Sequence, residues 1–228
     1  MGVVTMKHSI IHGTLCLVIS ALLASCVVTS QRPVVNCEEV GVERFATFPF
    51  VGAPSAVMLW VQNEYGLGAK DIRSDISSDG AQSMLKWEQP PNRAYGVTLW
   101  NDARESALAW MKWLNRAPAL ADALHCLGDP SLYRAYYVWN PEAVGTALEL
   151  WYPERGLMVT AYVARKTSGF TGSLGLENTS YVEPGQPEDL ITRFFWAVAS
   201  DSDRYTQILR GLKPWPGSIE DVTIDERG

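Results

Sequence analysis

Apolar and polar positions first fall into a pattern at residues 53–65. Pro54 suits a first helical turn, Val57, Trp60, Val61 and Tyr65 recur at helical spacing, and Gly66 follows as a stop. That predicts a helix. Two strand-like runs come next, 83–88 and 93–100, split by Gln89, Pro90, Pro91 and Asn92. In the second, Tyr95, Val97 and Leu99 line one face. Asp102 and Glu105 form a D-x-x-E start before 107–114, which predicts a second helix with Trp110 and Trp113 on one face. Pro118 opens a third, with Leu120, Leu124 and Leu127 on one stripe and Gly128 as its stop. Strands are expected at 133–139, 146–152 and 157–164, the last two joined by a hairpin through Pro153, Glu154, Arg155 and Gly156. A further strand is expected at 190–198, and Tyr205, Ile208, Leu209 and Leu212 mark a closing helix.

Two blocks of this pattern are alike in order: helix, glycine, strand, turn, strand. Gly66 and Gly128 stand 62 residues apart, as do Val97-Thr98 and Val159-Thr160, while Leu85 and Leu148 are 63 apart. The expected fold class is therefore α+β, built of tandem helix-then-antiparallel-sheet units with a C-terminal helix, the repetition arising by duplication or by coincidence. The expected organisation is 1–25 as a signal segment, 26–42 as a tether, 43–105 as a first unit, and 106–228 as a second with an extension.

The N-terminal pattern differs. Leu15 to Ala24 is a largely apolar run of ten residues behind Lys7, too short to span a bilayer and of the right length for an export signal. Leu23-Ala24-Ser25-Cys26 closely resembles the bacterial lipobox. The resemblance implies that Cys26 Sγ receives a diacylglyceryl group and that cleavage leaves Cys26 as the first residue, anchored to a membrane by its acyl chains. The other reading is an ordinary cleaved signal with a chance cysteine.

Composition narrows the function. Removal of residues 1–25 takes one basic residue and leaves 18 basic against 25 acidic side chains, a net charge of −7, which argues against nucleic acid as a partner. Cys37 and Cys126 remain as either a disulfide, permitted by export, or two inert thiols. His125 is then the one imidazole left, so a hydrolase would have to use it, and no multi-histidine metal site is expected. Ser83-Met84-Leu85-Lys86 matches S-x-x-K but opens a strand where that motif starts a helix. Asp75 to Gly80 copies half a calcium loop, yet its twelfth position is Lys86, which repels the ion. The stretch Gly169 to Gly175, GFTGSLG, lacks phosphate-loop spacing and reads as a flexible loop. No cofactor is expected.

Tryptophan is in excess, with nine in the chain. Trp87, Trp110, Trp113, Trp139 and Trp151 are the candidate binding aromatics, as core residues or as exposed stacking surface. The helical pair ending in Leu127-Gly128-Asp129-Pro130, followed by a meander with the LWYPERGL hairpin (150–157), resembles β-lactamase-inhibitor-protein-like and SmpA/OmlA-type lipoprotein modules over residues 53–165. The resemblance implies a small α+β binding unit without catalytic residues. The expected function is a lipid-anchored envelope module that binds a protein partner, as an assembly scaffold or inhibitor-like binder, or else a wall glycan through exposed Trp.

Overall fold

Extended runs along the folded chain pair into one antiparallel sheet. The computed structural model describes residues 37–40, 47–50, 54–76, 82–89, 93–100, 107–114, 116–139, 144–195, 198 and 201–226. A helical turn α1 (Cys37–Val40) and helix α2 (Pro54–Tyr65) precede strands β1 (Arg73–Ile76), β2 (Gln82–Gln89), β3 (Arg93–Trp100) and β4 (Ala107–Trp113). Helix α3 (Leu120–Leu127) leads into β5 (Leu132–Trp139), β6 (Val144–Tyr152), β7 (Leu157–Val163) and β8 (Leu176–Tyr181). Helices α4 (Pro187–Phe194) and α5 (Ser202–Gly211) and the short strand β9 (Lys213–Pro214) follow. Among the described residues the sheet has nine strands, ordered β1-β2-β3-β4-β8-β7-β6-β5-β9, all neighbours antiparallel. The architecture is mixed α+β with the sheet predominating. The described residues all belong to one compact unit, Asn36–Gly228.

Alternation sends the strands' side chains to two separate cores. One sheet face carries Leu85, Trp87, Tyr95, Val97, Met111, Leu148, Leu150 and Val159, which pack with Val57, Val61 and Tyr65 of α2 and Leu120, Ala123 and Leu127 of α3. The opposite face carries Trp151 and Met158, covered by Leu190, Ile191 and Phe194 of α4 and Ile208 of α5. Leu150 is fully buried, and cutting it to alanine would cost about 2–5 kcal/mol. The β6–β7 connection is a 3₁₀ turn, Pro153–Arg155, ended by Gly156 in the left-handed region at φ 59°, where a Cβ would strike the Val182 carbonyl.

Two expected elements change type. Residues 107–113 form strand β4, not a helix: Ala107, Ala109, Met111 and Trp113 are buried, while Leu108, Trp110 and Lys112 face the other way. The D-x-x-E signal before it lies outside the described residues. The expected strand at 190–198 is instead helix α4 up to Phe194, with Pro187 at its start, Glu188 and Asp189 in its first turn, and Leu190, Ile191 and Phe194 on its buried side. The end of the expected tether is folded, since Val40 of α1 is fully buried. Cys37 and Cys126 are joined as a disulfide, Cα–Cα 5.4 Å, which ties α1 to α3. The boundary expected between residues 105 and 106 lies outside the described residues, and β3 and β4 on either side of it pair directly. The signal segment 1–25 and Cys26 also lie outside them.

Candidate binding cleft

The most concentrated chemistry sits where β5 and β6 carry charge inside apolar strands. Arg134 and Glu149 are directly opposed in the β5–β6 register and are 5% and 2% exposed. Arg134 Nε donates to Glu149 Oε2 at 2.9 Å and Nη2 to Oε1 at 2.8 Å, a bidentate fork. The Tyr136 hydroxyl donates to Oε1 at 2.9 Å and Trp151 Nε1 to Oε2 at 3.2 Å. Four donors fill the carboxylate's lone-pair positions, so Glu149 is spent as a structural acceptor and is not poised as a base. The guanidinium lies 4.4 Å from the Tyr136 ring centroid and 5.3 Å from that of Phe195. Burial works against the Arg134 charge, but Glu149 outweighs it and holds the group above its ordinary value. Burial, then the Glu149 charge, pushes the Tyr136 hydroxyl up, which keeps it a donor.

Above this pair is an open cleft of about 600 Å³ between β5 and α5, lined by Arg134, Tyr136, Trp139, Phe195, Arg204 and Gln207 among others. Helical spacing brings Arg204, Gln207 and Ile208 to the same side of α5. The helix begins at Asp201, whose carboxylate accepts from the Arg204 backbone N–H at 3.0 Å. Trp139 is 68% exposed at the end of β5. Tyr137 carries Lys166 Nζ 4.4 Å from its ring centroid.

The candidate aromatics separate by face. Trp87, Trp113 and Trp151 are buried in the two cores and are removed from any ligand surface. Trp110 is half-buried on the sheet face opposite Trp113, because the two sit on a strand. Trp139 alone of these lines the cleft. His125 is exposed on α3, outside the residues that line the cleft. Lys86 pairs with Asp75 at 3.4 Å, and residues 77–80 of the would-be calcium loop lie outside the described residues. The 169–175 stretch is not a loose loop: Phe170 is buried, and the Gly172 and Leu174 carbonyls accept from Ala121 and Leu120 at the start of α3. Among the described residues no group of three His, Cys, Asp or Glu is placed to hold a metal.

Sequence reasoning overlooked Arg134, Tyr136, Glu149 and Arg204. A signal existed for Arg134 and Glu149: a lone Arg in LYRAYYVW and a lone Glu in ALELWY interrupt strands otherwise apolar on both faces. Against known proteins, the chain matches no family model, no curated protein and no solved structure.

Proposed function

We propose that this protein is a lipid-anchored envelope binding module that takes a saccharide into the β5–α5 cleft. The observation that carries the reading is Trp139, a large flat ring left 68% exposed on the wall of a cleft whose lining mixes tyrosines and the donors Arg134, Arg204 and Gln207 with the apolar Val138, Phe195 and Ile208. Among the described residues the other large exposed apolar side chains, Leu59, Ile76 and Leu114, lie on α2, on β1 and just after β4. The Cys37–Cys126 disulfide supports export, and the lipobox residues Leu23 to Cys26 support an anchor. The test is calorimetric titration of the full-length lipidated protein, in detergent, with N-acetylglucosamine tetramer. Binding should weaken about tenfold in Trp139→Ala. Absence of binding, or equal binding by the variant, would sink the reading.

The second reading, a protein-binding scaffold or inhibitor-like module, is favoured by the sheet face around Trp110. Its indole lies across Gly96, where a Cβ would collide with it, and Met84, on the same face two strands away, is half-buried. A tandem origin belongs with either reading. The orders α2-β1-β2-β3-β4 and α3-β5-β6-β7-β8 are alike, and the halves meet where β4 pairs with β8.

A further inference from the structure

Resting on the cleft reading, the geometry points to a more specific ligand: we propose that the saccharide is acidic, its carboxylate held by Arg134 and Arg204 while a ring face stacks on Trp139. Arg134 is built as a fixed donor. Glu149 uses its Nε and Nη2, two rings confine it, and Nη1 makes no hydrogen bond among the described residues. Arg134 is among the residues lining the cleft, and its donors beyond Nε and the Nη2 bond to Glu149 are spare for a ligand. Glu149 carries the countercharge but, with four donors on it, has no free lone pair to turn toward a ligand.

Arg204 supplies uncompensated charge. It forms no ion pair among the described residues, is exposed, and stands in the first turn of α5, where a cation opposes the helix dipole. That position does nothing for the helix, but it does put a guanidinium on the cleft wall. Among the described residues, those lining the cleft include two arginines and no acid, in a chain of net charge −6. A neutral glycan would leave the Arg204 fork and the spare Arg134 donors without an anion to match them.

The experiment titrates the full-length lipidated protein, its Arg204→Gln variant and its Trp139→Ala variant with three probes. These are N-acetylglucosamine tetramer, the tetrasaccharide alternating N-acetylglucosamine with N-acetylmuramic acid, and tetragalacturonate. Arg204 is exposed, so Arg204→Gln folds, which far-UV circular dichroism checks. The expected result is at least about tenfold tighter binding of one or both acidic probes than of the neutral one, with Arg204→Gln removing that preference. The two acidic probes distinguish a wall-type amino-sugar acid from a uronic acid. If all three bind equally and Trp139→Ala weakens all of them, the cleft reading stands and the acidic ligand is overturned. An acidic preference that survives Arg204→Gln overturns the arginine assignment. Absence of binding by any probe overturns the cleft reading itself.

Discussion

At the scale of single residues, the buried Arg134–Glu149 pair decides more than any other contact. A buried ion pair adds little over an apolar pair of equal volume, because desolvation offsets the attraction, but leaving one charge unpartnered is severe. Arg134→Met should therefore cost about 3–5 kcal/mol in urea unfolding. The double variant Arg134→Met/Glu149→Leu should recover most of that loss. A double variant as unstable as the single one would mean that the Tyr136 and Trp151 bonds to the carboxylate, rather than the ion pair, carry the stability. Tyrosine gives a second prediction. Burial pushes Tyr136, Tyr152 and Tyr181 upward from an ordinary value of 10.0. Unfolded tyrosines release protons above pH 10 while these three retain theirs, so the folded state binds more protons there and stability falls as pH rises. It is fully present below pH 10. Absorbance at 295 nm should show these three ionising together with unfolding, and early reversible ionisation of every tyrosine would refute it.

At the scale of elements, strand β5 would be an open edge without the C-terminal segment. Strand β9 pairs with Leu132 and Tyr133, and Asp225 exchanges backbone hydrogen bonds with Ala135 and Tyr137. Lys213 Nζ holds Asp225 Oδ1 at 2.6 Å, the Tyr133 hydroxyl meets Thr223 Oγ1 at 3.0 Å, and Ile219 and Val222 enter the larger core. An uncovered apolar edge invites pairing between molecules. Deletion of 213–228 should turn a monodisperse protein into one that forms larger species at micromolar concentration, read by light scattering. A truncated protein as monodisperse as the full chain would contradict this. Legibility in the sequence follows the same lines. The 133–139, 146–152 and 157–164 strands were readable as apolar and aromatic runs between turn residues, and the α3 stripe as leucines at helical spacing. Residues 107–113 were not, since Trp110 and Trp113 mimic a helix stripe while the true signal, Ala107, Ala109, Met111 and Trp113, rests partly on weakly apolar alanines. Strand β8, LENTSY, carries polar residues at the centre of the sheet and offered no alternation to read. The cleft depends on α5 lying beside β5, and no local pattern specifies that long-range placement.

At the scale of the whole molecule, attachment and folding should depend on different cysteines. If Cys26 carries lipid, Cys26→Ala removes the anchor, and in sequence Cys26 precedes the unit from Asn36 to Gly228. The disulfide works the other way. It closes a sequence separation of 89 residues, and in the chain-entropy picture such a loop is worth about 4–5 kcal/mol. It also fixes α1, whose Val40 is buried in the core. Fully extended, the eleven steps from Cys26 to Cys37 span at most about 40 Å, which, if Cys26 carries lipid, bounds how far from a membrane surface Cys37 can stand. Two measurements on two variants separate the roles. Cys26→Ala should move the protein from the membrane to the soluble fraction, with its denaturation midpoint and saccharide affinity unchanged. Cys37→Ser/Cys126→Ser should stay with the membrane and lose stability. A Cys26→Ala protein that sediments with membranes would refute the anchor whatever the cleft binds. A Cys37→Ser/Cys126→Ser protein of full stability would show that packing around Val40, not the cross-link, holds α1 to the sheet.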